Sequence, residues 1–131
     1  MNQLIEDYFT ALLTDADLAG SPEIYPGTCS EIRQPDNAAI LVVVDSVECV
    51  VATLHRATVK IVVSSPADDR AAHVTLAAAI KALVEGTLPT SEVFTVGGWV
   101  TKSNLTQVSD DSRWLTSIEG IFGVNNVAPV V

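Results

Sequence analysis

The stretch Ala57–Gly86, ATVKIVVSSPADDRAAHVTLAAAIKALVEG, constrains this chain more than any other, because it changes period once, from two to about 3.6. Val59, Ile61 and Val63 alternate with Thr58, Lys60 and Ser64, the pattern of a strand with one buried face. Pro66 cannot donate to a sheet ladder and ends that strand. Asp68 or Asp69 can then cap the free N–H groups of a helix and meet its positive dipole end. His73, Leu76, Ile80 and Leu83 recur at steps of three and four and form one stripe, with Ala72 and Ala79 allowing close approach to the sheet. Arg70 and Lys81 fall off the stripe, and Gly86 punctuates the end of the helix. The unit is a strand, a turn and a helix that must lie back on a sheet.

The flanking segments are read against it. Rows Leu4, Tyr8, Leu12 and Ile5, Phe9, Leu13, Ala16 predict an amphipathic helix over Asn2–Ala19, with Glu6 and Asp7 on its polar side and Gly20 closing it. Residues 21–37 are broken by Pro22, Pro26, Gly27 and Pro35, leaving a loop and one short strand near Thr28–Ile32. Ala38–Asp45 is apolar at successive positions and reads as a central strand covered on both faces. Cys49–Leu54 resumes an extended pattern that runs into Ala57–Ser65, a long hairpin expected to project beyond the sheet. Val93–Lys102 is a strand interrupted by Gly97-Gly98, where a bulge or a close backbone is expected. Ser103–Ser112 reads as a polar surface loop, Arg113–Val124 as the closing strand, and Asn125–Val131 as a tail with little left to pair with. The sum is an α+β fold: one domain over residues 1–131, with a single mostly antiparallel sheet of four to five strands, two helices and a projecting β-hairpin.

Chemical signatures are sparse. There is no nucleophile elbow, phosphate loop, dinucleotide fingerprint, zinc-protease helix or calcium loop. Asp69 and His73, four apart at a helix start, are the best pair for orienting an imidazole or sharing a metal, but two ligands are too few and a surface ion pair is the plainer reading. Asp110-Asp111 reads as solvated loop acids, and Gly97-Gly98-Trp99 as a bulge with an anchoring indole rather than a ligand-facing turn. Neither a cofactor nor a metal is expected. Cys29 and Cys49 have no metal-ligand or CxxC spacing and read as intracellular thiols, and the first residues lack the layout of a signal peptide. The longest apolar run, Ala38–Val44, is too short to cross a bilayer, so no membrane partner is expected.

Charge separates further partner classes. The formal net charge is −9, and residues 1–50 hold nine of the sixteen acids against one base, Arg33. Nucleic-acid binding needs clustered Lys and Arg, so this balance argues against a grip on DNA while suiting a wall past which DNA must slide. Hydrophobic residues make up 48% of the chain against 18% charged, which leaves apolar surface for a partner.

The order of an N-terminal helix, the strand Pro35–Val44, a hairpin, the return strand ATVKIVVSSPA, the helix from Asp68 and the closing strand announced by Asp110-Asp111-x-x-Trp114 resembles the tail terminator proteins of long-tailed bacteriophages. The similarity covers nearly the whole chain as a layout and contains no strict motif. The resemblance implies a structural, non-enzymatic virion protein: a homo-oligomeric ring, a hexamer, that caps the tail tube and joins it to the head. Its partners would be the tail tube protein, the head connector protein and double-stranded DNA passing through without specific binding. It would reside in the neck of the virion, and in the host cytoplasm during assembly. It also implies an acidic lumen, for which Glu23, Glu31, Asp36, Asp45 and Glu48 are the acids singled out by the uneven charge. Two other readings stay open: a different head–tail connector or tail completion protein, and a small-molecule-binding or enzymatic α+β domain.

Overall fold

In a computed structural model, which describes residues 2–18, 22–26, 38–51, 54–66, 70–88, 94–108 and 113–126, the chain forms two helices and one mixed sheet. The elements run α1 (Asn2–Asp15), β1 (Glu23–Pro26), β2 (Ala39–Val51), β3 (Leu54–Pro66), α2 (Arg70–Val84), β4 (Gly86–Thr87), β5 (Phe94–Val108) and β6 (Arg113–Asn126). The spatial order is β1-β2-β3-β6-β5-β4. Only β1 and β2 pair in parallel; every other pair is antiparallel. The α+β fold with a mostly antiparallel sheet is as the sequence predicts, with β4 a two-residue addition at one border.

The strand–turn–helix unit is the centre of the molecule. β3 pairs with β2 from Leu54 to Ser64 and with β6 from Leu54 to Pro66, and it ends at the proline. Register puts Val63, Ile61, Val59 and Ala57 opposite Ile40, Val42, Val44 and Val47 on one side, and Thr116, Ile118, Gly120 and Phe122 on the other. Directly opposed residues share a face. Both helices cover that face. Phe9 of α1 meets Phe122 edge-on, with ring centroids 4.9 Å apart, and His73 of α2 reaches Thr116. Ile5, Phe9 and Leu13 join Leu76, Ile80 and Val84 in one buried cluster over the sheet.

Several boundaries differ from expectation, each for a local reason. α1 stops at Asp15, not Ala19, and Asp17 turns the chain out of the helix at φ 53°, a left-handed conformation that Asp tolerates better than most residues. Its Glu6 is buried and Leu4 is half exposed, so the covered stripe is centred on Ile5, Phe9 and Leu13. The short strand is Glu23–Pro26, inside the expected loop; Thr28–Ile32 lies outside the described residues. β2 has helices on one face only: Ile40 and Val42 are fully buried, whereas Leu41 and Val43 on the other face are half-buried. On α2 the small residue pressed to the sheet is Ala77; Ala72 and Ala79 face outward. β5 runs on through Ser103–Val108, where a loop was expected, because β6 supplies a partner for each of those residues. The hairpin tip does carry exposed Val50, Val51 and Leu54. β6 accompanies β3 to Leu54↔Asn125, so the hairpin continues the sheet rather than standing off it. Residues 127–131 of the expected tail, like residues 109–112, lie outside the described residues.

The glycine pair of β5 is explained by approach, not by a bulge. The register shift falls between Val100 and Lys102, whereas Gly97 and Gly98 pair with Thr87 and Gly86. A methyl group added at Gly98 would collide with the carbonyl oxygen of Ile121 and come within 2.8 Å of Phe122 Cδ1. Gly98→Ala is therefore expected to shift backbone next to the Phe9–Phe122 contact and cost about 1–3 kcal/mol of stability, whereas Gly123→Ala, whose added carbon would stay 3.7 Å from its nearest neighbour, should cost much less. In urea titrations Ile80→Ala, at a fully buried position, should lose about 2–5 kcal/mol and Lys81→Ala, on the exposed side, less than about 1 kcal/mol.

Candidate functional site

His73 is the most chemically committed side chain of the described residues, and its place is the core. The helical stripe drives it against the sheet, where it is 1% exposed. Nδ1 lies 2.8 Å from Ser65 Oγ and Nε2 lies 2.7 Å from Thr116 Oγ1. In either neutral tautomer one ring N–H donates to a hydroxyl oxygen and the other ring nitrogen accepts from a hydroxyl, so both hydroxyls and the ring are satisfied. Arg70, one turn earlier, holds its guanidinium 5.5 Å from the centre of the Trp114 ring. These contacts pin the first turns of α2 to the ends of β3 and β6.

Ser65 and Thr116 are buried with the histidine, and their hydrogen bonds engage both ring nitrogens. The expected surface pairing of Asp69 with His73 gives way to this buried pair of hydrogen bonds, because both ring nitrogens are already engaged; Asp69 itself lies outside the described residues, as does Asp110-Asp111. Among the described residues no group of three or more His, Cys, Asp or Glu side chains converges as a metal site would require, and no helix is long and apolar enough to cross a membrane. A groove of about 360 Å³ lies between the end of α1 and β1. Leu13, Leu18, Pro22 and Ile24 line it with Thr14 and Asp17, a largely apolar wall without a convergent set of polar groups.

The acids singled out by charge are dispersed. Glu23 begins β1 at one border of the sheet and accepts a hydrogen bond from the Tyr25 hydroxyl. Asp45 is exposed at the β2 bulge between Val44 and Ser46. Glu48 is also exposed and is held by its cross-strand neighbour Arg56, with Nη2 2.7 Å from Oε2. Glu31 and Asp36 lie outside the described residues. On the sheet face that no described helix covers, register lines up Val43, Lys60 and Glu119 in one row, and position 102 of β5 pairs with Glu119. Arg113, buried near one end of that face, donates through Nε to Ser64 Oγ at 2.6 Å. Sequence reasoning did not find this arginine or the His73 partners, since each pairing joins residues 43 or 49 positions apart or crosses a turn.

Burial of His73 holds its pKa below the ordinary histidine value. The neutral form is favoured in the fold, so the unfolded chain takes up the proton first as pH falls. The His73 contribution is present above about pH 6.5 and is lost as pH drops from there toward the lower folded value. Urea titrations between pH 7.5 and 5 should show a decline that is smaller in His73→Gln. His73→Ala, which leaves two buried hydroxyls without their partner and opens a cavity, should cost more than about 2 kcal/mol at pH 7.5.

Comparison with known proteins gives a fold relationship. No family model and no curated protein sequence matches the chain. A chain in the solved virion of a native gene transfer agent particle matches with a TM-score of 0.57 at 14% identity, over 89% of this chain and 84% of that one. A second solved chain, which carries no functional description, matches with a TM-score of 0.68 at 13% identity over 99% of both. The α+β fold of this protein is thus shared, over 89% of its length, with a chain of a gene transfer agent particle.

Proposed function

We propose that this protein is a structural component of a phage-like virion and that it acts as a tail terminator, a homo-oligomeric ring, a hexamer, which caps the tail tube and joins it to the head connector. The observation that carries the reading is the fold shared over 89% of the chain with a component of a gene transfer agent particle. Composition and surface support it. The chain spends 48% of its residues on hydrophobic side chains, yet Leu4, Val50, Val51, Leu54 and Val74 remain exposed. Half-buried Leu41, Val43, Val62, Leu115 and Ile121 sit on the sheet face that no described helix covers. Apolar surface of this kind suits partners that stay bound. The most committed polar residue, His73, is used up in holding the fold, which favours assembly over catalysis.

The acidic balance gives the ring its second property. A passage for duplex DNA must repel phosphate, and Glu23, Glu31, Asp36, Asp45 and Glu48 are the acids proposed for its wall, with Asp45 and Glu48 both exposed near the upper half of β2. Native mass spectrometry should return a closed oligomer. Glu31→Lys combined with Asp36→Lys should leave that mass unchanged while making the ring retain duplex DNA at low salt and release it toward 1 M, where screening acts over about 3 Å. A protein that stays monomeric at high micromolar concentration and with tail tube protein present would overturn the ring. Intact rings of the double variant that still ignore DNA would overturn the acidic wall.

A further inference from the structure

We infer that copies of this chain join edge to edge, the outer border of β5 in one copy adding antiparallel to the outer border of β2 in the next, so that one sheet continues from subunit to subunit. The inference rests on the ring reading above and specifies its interface.

Among the described residues both borders are only partly paired. β1 pairs with β2 over Ala39–Val42 alone, so along Val43–Glu48 no strand among the described residues lies outside β2. β4 pairs with β5 only at Gly97 and Gly98, so along Trp99–Val108 no described strand lies outside β5. Open borders of this length expose a row of backbone donors and acceptors that proteins normally cover or blunt, and neither stretch contains a proline. Direction fits as well. Three antiparallel steps separate β2 from β5, so the two borders point opposite ways, and copies set side by side in one orientation present them as an antiparallel pair.

The occupant is a second copy because the two borders complement one another. The only charged residues of Val43–Glu48 are Asp45 and Glu48, and the only charged residue of Trp99–Val108 is Lys102. The open stretches are also offset. Glu48 is level with Gly97, where β4 begins to cover β5, while the β1-covered residues Ala39–Val42 are level with Ser103–Thr106. To engage, the neighbour must slide by a few residues along the strands, on the order of 15 Å. A stagger repeated at each junction is what a sheet requires to close on itself with tilted strands. The register shifts at Val44/Ser46 and Val100/Lys102 flank a single row, Val44, Val59, Gly120 and Val100, and bulges there bend the sheet at one level. A border-to-border contact uses different surfaces on the two partners, so it propagates until a ring closes.

Face parity gives the test. Ser46 shares the helix-free face with Asn104 and Thr106, whereas Ser103 and Leu105 belong to the helix-covered face. On the full chain with Cys29→Ser and Cys49→Ser, Ser46→Cys is combined in turn with each of Ser103→Cys, Asn104→Cys, Leu105→Cys and Thr106→Cys. Circular dichroism confirms each fold, and native mass spectrometry under reducing conditions gives the assembly. Oxidation should link chains through Asn104→Cys or Thr106→Cys, in a ladder ending at the mass of the non-covalent assembly, with at least tenfold less product for Ser103→Cys and Leu105→Cys. Rings that form without any Ser46→Cys link, or that link equally at all four positions, overturn the edge pairing and leave the ring standing. A ladder that climbs without a terminal species supports the edge pairing and overturns the ring. A monomer that yields no links overturns both.

Discussion

The pairing of β3 with β6, unbroken from Leu54↔Asn125 to Pro66↔Arg113, is the constraint on which the rest depends. It fixes which residues of two long strands share a face, and one residue of slip would exchange the buried and exposed sets completely. With the register as it is, Val59, Ile61 and Val63 lie beside Gly120, Ile118 and Thr116 under the helices. α1 then closes over β1 and β2 while α2 closes over β3, β5 and β6. His73 locks the second of these in register, since Ser65 and Thr116 stand on different strands and both must be present for the imidazole to be satisfied.

A sheet with both helices on one face has an unequal surface. The covered face supplies the core, and the other keeps a mixture of half-buried aliphatic side chains with Lys60 and Glu119. The groove by α1 has little polar chemistry, and the buried imidazole is out of reach.

The elements were legible where a single periodicity ran uninterrupted. The α2 stripe placed His73, Leu76 and Ile80 in the core, and Pro66 ended β3, since both signals are local. Legibility failed where a partner decided. Ser103–Val108 is polar enough to read as loop, but β6 offers it a complete ladder, and hydrogen bonding to a long neighbour outweighs the weak strand propensity of Ser, Asn and Gln. Asn2–Asp15 is helical as its pattern requires, yet Glu6 rather than Leu4 is buried, a choice among adjacent rows that the docking of α1 on the sheet makes and the helical pattern does not.

The candidate site shows the same division. The sequence by itself determined that the chain is acidic in its first part, that it lacks the familiar catalytic signatures, and that His73 lies on an apolar stripe, all properties of composition or of neighbours within one turn. Only the tertiary structure decided that His73 bonds Ser65 and Thr116 in the core, that Arg56 shares the charge of Glu48, and that among the described residues β1 and β4 pair with only part of β2 and β5. The physical reason is that strand order and register bring together residues far apart in the chain, and no local pattern encodes which strand will be the neighbour or where its cover stops.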